Sequence, residues 1–456
     1  MILTRRDYAW LCLLVAIVLL SRVPFLGAGY GTQMDAWRVA NVARDISGTG
    51  HYEVSRFPGF PVQEIACSLF WKGGPVALNG ASALFGAAAV LLFALIARAY
   101  GCKDWFLAGL ALAFAPVFYI NCVSAKDYTW ALAFTLSSFF ACMKDRAALA
   151  GIFLGIATGC RITSCVAGLP LLVILAGNDQ KRAMRRAIVF AAVSAVTATV
   201  MFLPVLLKYG TGFFTTYYHD LPDWHTILRR STIEVWGWTG VAGLCVALAG
   251  IAWKRLRRQT TTVSLSCTGY HVAGWATAVT VYLVLYIPHP DLAGYLIAPM
   301  PFVILLLARF SARGAFQAFC VLAAAGSFVS LDHGRPVAGD IFKDHEERVA
   351  TSQNITNFLS FTEQIPGKNI FVVGAWETEI TNRLPGNNRY SYLLTAPEVL
   401  ECMKSGTTIY YNAATIRYFN LRVYGIDLAK YGGRDIRAVY EQQMKLKNQA
   451  GAAGPP

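Results

Sequence analysis

Charged side chains are scarce in this sequence. They make up 14% of its 456 residues, whereas 55% of the residues are hydrophobic. Soluble globular domains carry roughly a quarter charged residues, so this balance excludes an ordinary soluble protein. Uncharged runs such as 77–97 and 187–207 are long enough, as helices, to cross a hydrocarbon core of about 30 Å. The sequence therefore predicts a polytopic membrane protein.

Cysteine pairs with metal or redox spacing are missing too. The 11 cysteines form no C-x-x-C pair, and most lie in apolar runs, where a thiol acts as a small hydrophobe. The histidines and acids between 217 and 225 match no standard zinc spacing. We therefore expect no resident metal or other cofactor, although the sequence leaves room for a divalent cation.

Acidic residues are fewer than basic ones, and the formal net charge is +14. The basic residues form short clusters between apolar runs, for example at 181–186 and 254–258, rather than a stripe interleaved with aromatic residues on a polar domain. This pattern predicts cytoplasmic loops that anchor the chain at the membrane lipids, and it predicts no binding to nucleic acid.

The apolar runs predict about 11 transmembrane helices. As one helix, 147–176 would be about 45 Å long, too long for one span without steep tilt, so we interpret it as two short spans that meet near Arg161. Every basic cluster and the N-terminus then lie in the cytoplasm. Residues 1–331 form an all-α transmembrane domain in this interpretation, and residues 332–456 form a soluble extracytoplasmic domain. The expected location is a bacterial inner membrane.

The outer domain has the alternation of a small α/β unit. Residues 344–362 have helical spacing, while 369–373 and 407–411 have the pattern of buried strands. The composition of 448–456 predicts a disordered tail. We interpret this domain as an accessory or acceptor-binding unit.

The loop of residues 27–74, external in this topology, is far longer than a usual connector. Within it, 33–46 has the apolar spacing of a helix on the membrane surface. Asp35 falls in the first turn of that helix, where a negative charge also suits the helix dipole, and Arg38 and Arg56 occur in the same loop. A carboxylate can take a proton from an acceptor hydroxyl, and cations can stabilise a departing phosphate. The alternative role for the arginines is binding of lipid headgroups.

Two charged residues, Lys126 and Asp127, precede the fourth predicted span. A third, Arg161, lies within the apolar stretch 147–176. Lys126 is a candidate phosphate ligand, whereas Asp127 is interpreted as a helix N-cap or first-turn acid. Arg161 lies between two apolar half-segments, and an arginine at that depth requires a function or a defined partner. His289, in a later turn, is a candidate as well, although interfacial loop histidines are seldom catalytic.

The order of these features resembles the GT-C superfamily of membrane glycosyltransferases. The resemblance is strongest to the branch of protein O-mannosyltransferases and aminoarabinose transferases (glycosyltransferase family 39), and it covers about residues 1–331. It rests on Asp35 in its loop, SRFPGFP at 55–61, AKD at 125–127, GIATGCRIT at 155–163 and YLIAPMP at 295–301.

That resemblance implies an inverting transfer from a polyprenyl-phosphate-linked sugar donor to a lipid, glycan or protein acceptor on the extracytoplasmic side. A loop acid is the general base in such enzymes, and Asp35 takes that role here. The candidates for holding the donor phosphate are Arg56, Lys126 and Arg161. The remaining candidates for the substrate pocket are Arg38, Tyr52, Asp127, His289 and Tyr295.

Two positions depart from the family pattern, and two other functions compete with it. Many members have paired acids where this chain has Met34-Asp35-Ala36, and an arginine where it has Gly294. A transporter or flippase would place charges near the bilayer midplane and show repeated halves, whereas most charges here lie at span ends and no second half resembles the first. A polysaccharide ligase would take a diphosphate-linked glycan as its donor.

Overall fold

The structure, a computed structural model, describes residues 4–178, 182–213, 222–257, 267–288, 290–332 and 335–441. His289, residues 217–221 and the tail 448–456 lie outside the described residues. The chain divides into two units, Met1–Arg348 and Val349–Pro456. This division falls within a continuous helix, beyond residue 331 where the sequence places the domain boundary.

Helices dominate the first unit, because an apolar chain in a membrane must satisfy its backbone hydrogen bonds internally. In chain order they are α1 Arg5–Arg22, α2 Met34–Thr49, α3 Pro61–Phe70, α4 Gly74–Ala99, α5 Trp105–Ala113, α6 Pro116–Cys122, α7 Tyr128–Met143, α8 Ala147–Cys160, α9 Gly168–Asn178, α10 Ala183–Tyr209, α11 Trp224–Ser231, α12 Ile233–Leu256, α13 Gly269–Tyr286, α14 Met300–Phe310 and α15 Arg313–Ala325. An antiparallel hairpin follows, with strands β1 Val329–Asp332 and β2 Arg335–Ala338.

Several of these helices can cross a membrane by length and composition. Among the described residues there are 4 such segments, Arg5–Phe25, Pro61–Ala99, Ala183–Gly212 and Ile233–Leu256, or 5 if α5 and α6, bent by 67°, form one broken span. Other apolar helices, including α7, α8, α14 and α15, are shorter. The chain is therefore a polytopic membrane protein, as predicted, and the figure of about 11 spans stays a prediction.

The predicted break at Arg161 is confirmed. Helix α8 ends at Cys160, a short 3-10 helix runs over Ile162–Ala167, and α9 follows. Arg161 itself has extended backbone angles, with φ −158° and ψ 115°. The long apolar stretch is thus divided into two shorter helices, and a charged side chain emerges where they meet.

Small residues allow α8 and α10 to pack closely. Gly151, Gly155 and Gly159 recur every fourth residue and form one stripe on α8, the spacing that lets transmembrane helices approach through their backbones. A Cβ atom at Gly155 would lie 2.9 Å from the backbone nitrogen of Ala198 on α10. This packing holds in place the helix end that leads into Arg161.

The predicted helix in the long loop of residues 27–74 is also confirmed. It is α2, whose buried residues Ala36, Val39, Ala40 and Ala43 follow the helical period. Gly50, with φ 71°, ends the helix in the left-handed conformation that glycine adopts without strain.

The second unit contains a parallel sheet, and both predicted strands are present. Strands β3 Asn369–Val372, β4 Tyr390–Ser391, β5 Thr408–Tyr411 and β6 Arg434–Asp435 lie in the order β4-β3-β5-β6. Helix α16, Asp340–Thr362, contains the division, so its residues up to Arg348 belong to the first unit. The other helices of the second unit are α17 Trp376–Arg383, α18 Ala396–Ser405 and α19 Ala414–Tyr424. The inner strands β3 and β5 pair in parallel and are mostly buried, which explains their continuous apolar pattern.

We predict that Gly155→Ala destabilises the protein by about 1–3 kcal/mol, since the added methyl group overpacks the contact between α8 and α10. Gly80→Ala on α4 is the matched control, because a Cβ atom there meets nothing within 4 Å. Alanine's higher helix propensity predicts unchanged or slightly higher stability for that control. Thermal unfolding of the purified proteins in detergent measures both, and equal midpoints for the two variants would contradict the packing argument.

Candidate active site

Asp127 lies at the centre of the site, enclosed by two guanidinium groups. Its Oδ1 atom accepts a hydrogen bond from Nη2 of Arg56 at 2.9 Å, and its Oδ2 atom accepts one from Nη1 of Arg161 at 2.6 Å. The Asp127 residue is 0% exposed. A buried carboxylate requires such charged partners, because desolvation costs several kcal/mol per ion.

Asp127 does occupy the N-cap position of α7, but the interpretation that its side chain caps the helix is wrong. Asp127 precedes the first residue of α7, but its side chain makes no capping hydrogen bond. Backbone N–H groups alone would leave the buried negative charge of Asp127 unbalanced, whereas the two guanidinium groups neutralise it. The carboxylate consequently bonds to the two arginines rather than to backbone N–H groups of α7.

An arginine inside an apolar stretch requires a defined partner, and Arg161 has one in Asp127. Beyond its ion pair with Asp127, its guanidinium carbon lies 4.1 Å from the ring centroid of Tyr128 and 4.5 Å from that of Tyr295. Cation–π contacts of this kind stabilise a charge away from water. Two predicted site residues, Arg161 and Tyr295, are thus brought together.

Arg56 connects the buried carboxylate with Asp35. Its Nε atom lies 3.4 Å from Oδ2 of Asp35, and its guanidinium carbon lies 4.0 Å from the ring centroid of Phe60. Burial alone would lower the pKa of Arg56, but the carboxylates of Asp35 and Asp127 raise it. Its Nη1 atom is buried and has no hydrogen-bond partner among the described residues. Arg56 therefore keeps its charge and one unused donor.

Asp35 is the accessible acid of the site. Its side chain is 20% exposed, in contrast to 0% for that of Asp127, and Nη1 of Arg38 lies 3.9 Å from its Oδ1 atom. The predicted group of Asp35, Arg38 and Arg56 is thus present in one place, with Asp35 open to an approaching molecule.

Lys126 extends the site into a cavity of about 570 Å³. Its Nζ atom donates a hydrogen bond to Oε1 of Gln33 at 2.5 Å. Burial lowers the pKa of Lys126 to about 8, although the carboxylate of Asp35 acts in the opposite direction by favouring the charged form. The cavity is lined by residues of both charges, including Lys126, Arg229, Lys343, Glu234, Asp340 and Glu347.

Glu64 is a residue of the site that the sequence reasoning missed. Its carboxylate accepts hydrogen bonds from the Tyr52 hydroxyl at 2.5 Å, the Ser55 backbone at 2.7 Å and hydroxyl at 2.6 Å, and the Phe60 backbone at 3.0 Å. These bonds fix the loop that carries Arg56. They also engage Tyr52, which was predicted to shape the pocket. An acid within the apolar segment that begins at Pro61 was the available signal.

Arg348 and Asp344, on α16, form a second support that was missed. Arg348 donates hydrogen bonds to the carbonyl of Val123 at 2.7 Å and to the hydroxyl of Ser124 at 2.8 Å. Asp344 pairs with Arg348 at 2.6 Å and accepts a hydrogen bond from the hydroxyl of Thr32 at 3.1 Å. The loop before Lys126 is thereby joined to the long loop of residues 27–74. Their spacing of four residues on a predicted helix was the signal.

The two departures from the family pattern have structural reasons. A Cβ atom at Gly294 would lie 2.7 Å from Cζ of Tyr128, so an arginine there would displace the ring that covers Arg161. Ala36 is fully buried, so an acid at that position would place an additional carboxylate in the core beside Asp35. Within the described ranges, no group of three His, Cys, Asp or Glu residues is arranged to hold a metal ion.

Comparison with solved structures identifies the fold. The chain is similar to ArnT from Cupriavidus metallidurans in complex with undecaprenyl phosphate, with 15% identity, a TM-score of 0.53, and coverage of 94% of this chain and 90% of ArnT. The apo structure of ArnT gives 16% identity, a TM-score of 0.56, and coverage of 95% and 90%. ArnT is an aminoarabinose transferase of the GT-C type, so the predicted GT-C fold is confirmed.

Sequence comparisons give no such match. No family model and no curated protein matches the chain. The likeness is therefore carried by the fold, over nearly the whole of both chains, rather than by sequence identity.

We predict that Asp127→Asn lowers stability by about 3–5 kcal/mol, because it leaves two arginines with an uncompensated buried charge. Asp45→Asn is the matched control, since Asp45 pairs with Arg44 at 3.0 Å but its side chain is 47% exposed. Breaking an exposed pair costs at most about 1 kcal/mol. Thermal unfolding in detergent compares the two, and an Asp127→Asn midpoint equal to that of the control would show that the buried pairs contribute nothing.

Proposed function

For a chain with the fold of ArnT, we propose the function of a membrane glycosyltransferase that moves a sugar from a polyprenyl-phosphate donor to an acceptor hydroxyl. One observation carries the proposal: the unpartnered Nη1 donor of Arg56 belongs to a guanidinium that contacts the accessible carboxylate of Asp35. A phosphate and a hydroxyl can be bound side by side at such a pair. The undecaprenyl phosphate of the ArnT complex supports a polyprenyl phosphate as the sugar carrier.

In the proposed step, the acceptor oxygen attacks the anomeric carbon of the donor sugar from the face opposite the phosphate. A bond forms between that oxygen and the anomeric carbon, while the bond from this carbon to the phosphate oxygen breaks and its electron pair leaves with the phosphate. The hydroxyl proton passes to the carboxylate of Asp35. A single displacement of this kind inverts the configuration of the sugar.

Arg56 and Lys126 are the proposed contacts of the donor phosphate. Negative charge grows on the leaving phosphate during the step, and a fixed guanidinium stabilises it without reorganisation. Lys126 adds a point charge at the wall of the cavity. Arg161 is the third predicted phosphate ligand, but its ion pair with Asp127 and its two aromatic contacts favour a positioning role, in which it holds Asp127 and through it Arg56.

The reaction is proposed to occur on the extracytoplasmic side of the membrane. This orientation rests on the basic clusters at 181–186 and 254–258, which favour the cytoplasm, and it places the first external loop on the opposite side. The acceptor would then reach Asp35 from outside, and the cavity beside Lys126 offers it space.

We predict that Asp35→Asn lowers kcat by about 10²–10⁴-fold, the usual contribution of a general base, while donor binding changes little. Conversion of labelled polyprenyl-phosphate sugar to polyprenyl phosphate, in membranes that contain the native acceptor, measures the rate. Asp45→Asn, on the exposed side of the same helix, is the control and keeps the normal rate. Normal turnover by Asp35→Asn would refute the base assignment.

We also predict that donor binding weakens as pH rises through about 8. The Lys126 ammonium group is charged below its pKa of about 8 and neutral above it, and only the charged form attracts the phosphate. Since bound phosphate raises the pKa of Lys126, the affinity falls by about tenfold per pH unit above that point. Polyprenyl phosphate binding to purified protein between about pH 6 and 10 measures this dependence.

Two variants at position 126 test whether Lys126 causes this pH dependence. Lys126→Arg keeps its charge over this whole range, so its binding should not fall as the pH rises above about 8. Lys126→Met should bind weakly at every pH. The same pH profile in the wild-type protein and in Lys126→Arg would show that Lys126 does not contact the phosphate.

A further inference from the structure

The second unit contains a cavity of about 750 Å³ that the proposed transfer does not use. This volume lies within the range of small-molecule sites, about 300–1,000 Å³. Its walls come from the helix α16 and from the segments that follow three of the four parallel strands. It is therefore a feature of the α/β fold itself, with contributions from residues far apart in the chain.

The cavity lies where an open parallel sheet binds ligands. From β3 the chain passes to β4 on one side of the sheet, and β5 then lies on the other side of β3, so the direction of winding changes between β3 and β5. Ligands bind in the crevice outside the carboxyl ends of the strands at such a switch point. Trp376 follows β3, Asn412 directly follows β5, and Arg437 follows β6, and all three line the cavity.

One face of α16 supplies the opposite wall. Asn354, Asn357, Phe358 and Phe361 have the spacing of one helical stripe, and all of them line the cavity. Ile355, on another face of the helix, is fully buried in the core. The helix thus presents amides and aromatic rings to the cavity while its aliphatic face anchors it.

Aromatic pairs fix the rings around the cavity. The ring centroids of Phe358 and Trp376 are 5.8 Å apart, and those of Phe361 and Tyr440 are 5.1 Å apart, both edge to face. Rings held in this way lose little conformational freedom when a ligand binds. The site is preorganised for a molecule with an apolar face.

The polar side chains of the cavity are suited to a ligand that carries hydroxyl groups. An asparagine amide offers two donors and an acceptor, and the side chains of Asn354 and Asn412 make no hydrogen bond within the part of the chain that the structure describes. Arg437 and Glu441 carry opposite charges, so the lining is neutral overall. With one charge of each sign, the lining favours neither an anion nor a cation, whereas a neutral ligand with both donors and acceptors matches the amides.

We propose that the second unit binds a neutral glycan in this cavity. A sugar ring combines an apolar face, which stacks on aromatic side chains such as Trp376, with hydroxyl groups that both donate to and accept from amides such as Asn412. The site would hold a short stretch of a glycan chain. It needs neither the lipid-linked donor nor Asp35, so it stands independently of the proposed transfer reaction.

Binding of two neutral tetrasaccharides, cellotetraose and tetra-N-acetylchitotetraose, to the full-length protein in lipid nanodiscs tests the proposal. Isothermal titration without donor should give a Kd of about 1 mM or tighter for at least one of them. Trp376→Ala should raise that Kd by at least about tenfold. Asn354→Ala should raise it by about threefold or more, since one hydrogen bond is lost.

The variants separate loss of the site from loss of the fold. Asn354 is exposed on α16, so its replacement by alanine does not disturb the core. Tyr418→Ala on α19 is the matched aromatic control, because Tyr418 is 66% exposed and does not line the cavity. It should leave the Kd unchanged, as should Asp35→Asn. Failure of both glycans to bind at about 10 mM, or equal binding by Trp376→Ala, would overturn the proposal.

Discussion

The ion pairs of Asp127 with Arg56 and Arg161 are the interaction on which the first unit's site depends. They join three parts of the chain: the loop before α3, the start of α7 and the break between α8 and α9. A single arginine would balance one buried carboxylate, so the second leaves a surplus of positive charge. Asp35 offsets that surplus at the accessible side, but Arg38 and Lys126 add two further positive charges, and a phosphate is the kind of group that would balance them.

The surrounding structure keeps these charges in place. Glu64 fixes the loop of Arg56 by four hydrogen bonds, and Arg348 with Asp344 fixes the loop before Lys126. The close packing of α8 on α10 determines where Arg161 emerges. Such supports are what a site needs in order to hold charges before the substrate arrives, because reorganisation during the reaction would cost part of the stabilisation.

Local patterns predicted much of the fold. The helix α2, the break at Arg161 and the strands β3 and β5 follow from short-range periodicity and from the cost of charge in an apolar run. Local patterns could not predict that Arg56 pairs with Asp127. The two residues are 71 positions apart, and the sequence alone does not show that they are close in space. The local N-cap interpretation was the simpler one, and it failed because a fully buried carboxylate needs partners of opposite charge, which backbone N–H groups do not supply.

A cryo-electron microscopy structure of the protein in nanodiscs with added polyprenyl phosphate would test the central claim most directly. We expect the phosphate within about 3 Å of Nη1 of Arg56, with Asp35 facing the same space and the ion pairs of Asp127 intact. A phosphate bound away from Arg56, or a continuous water-filled path across the membrane, would contradict the assignment of this site to glycosyl transfer.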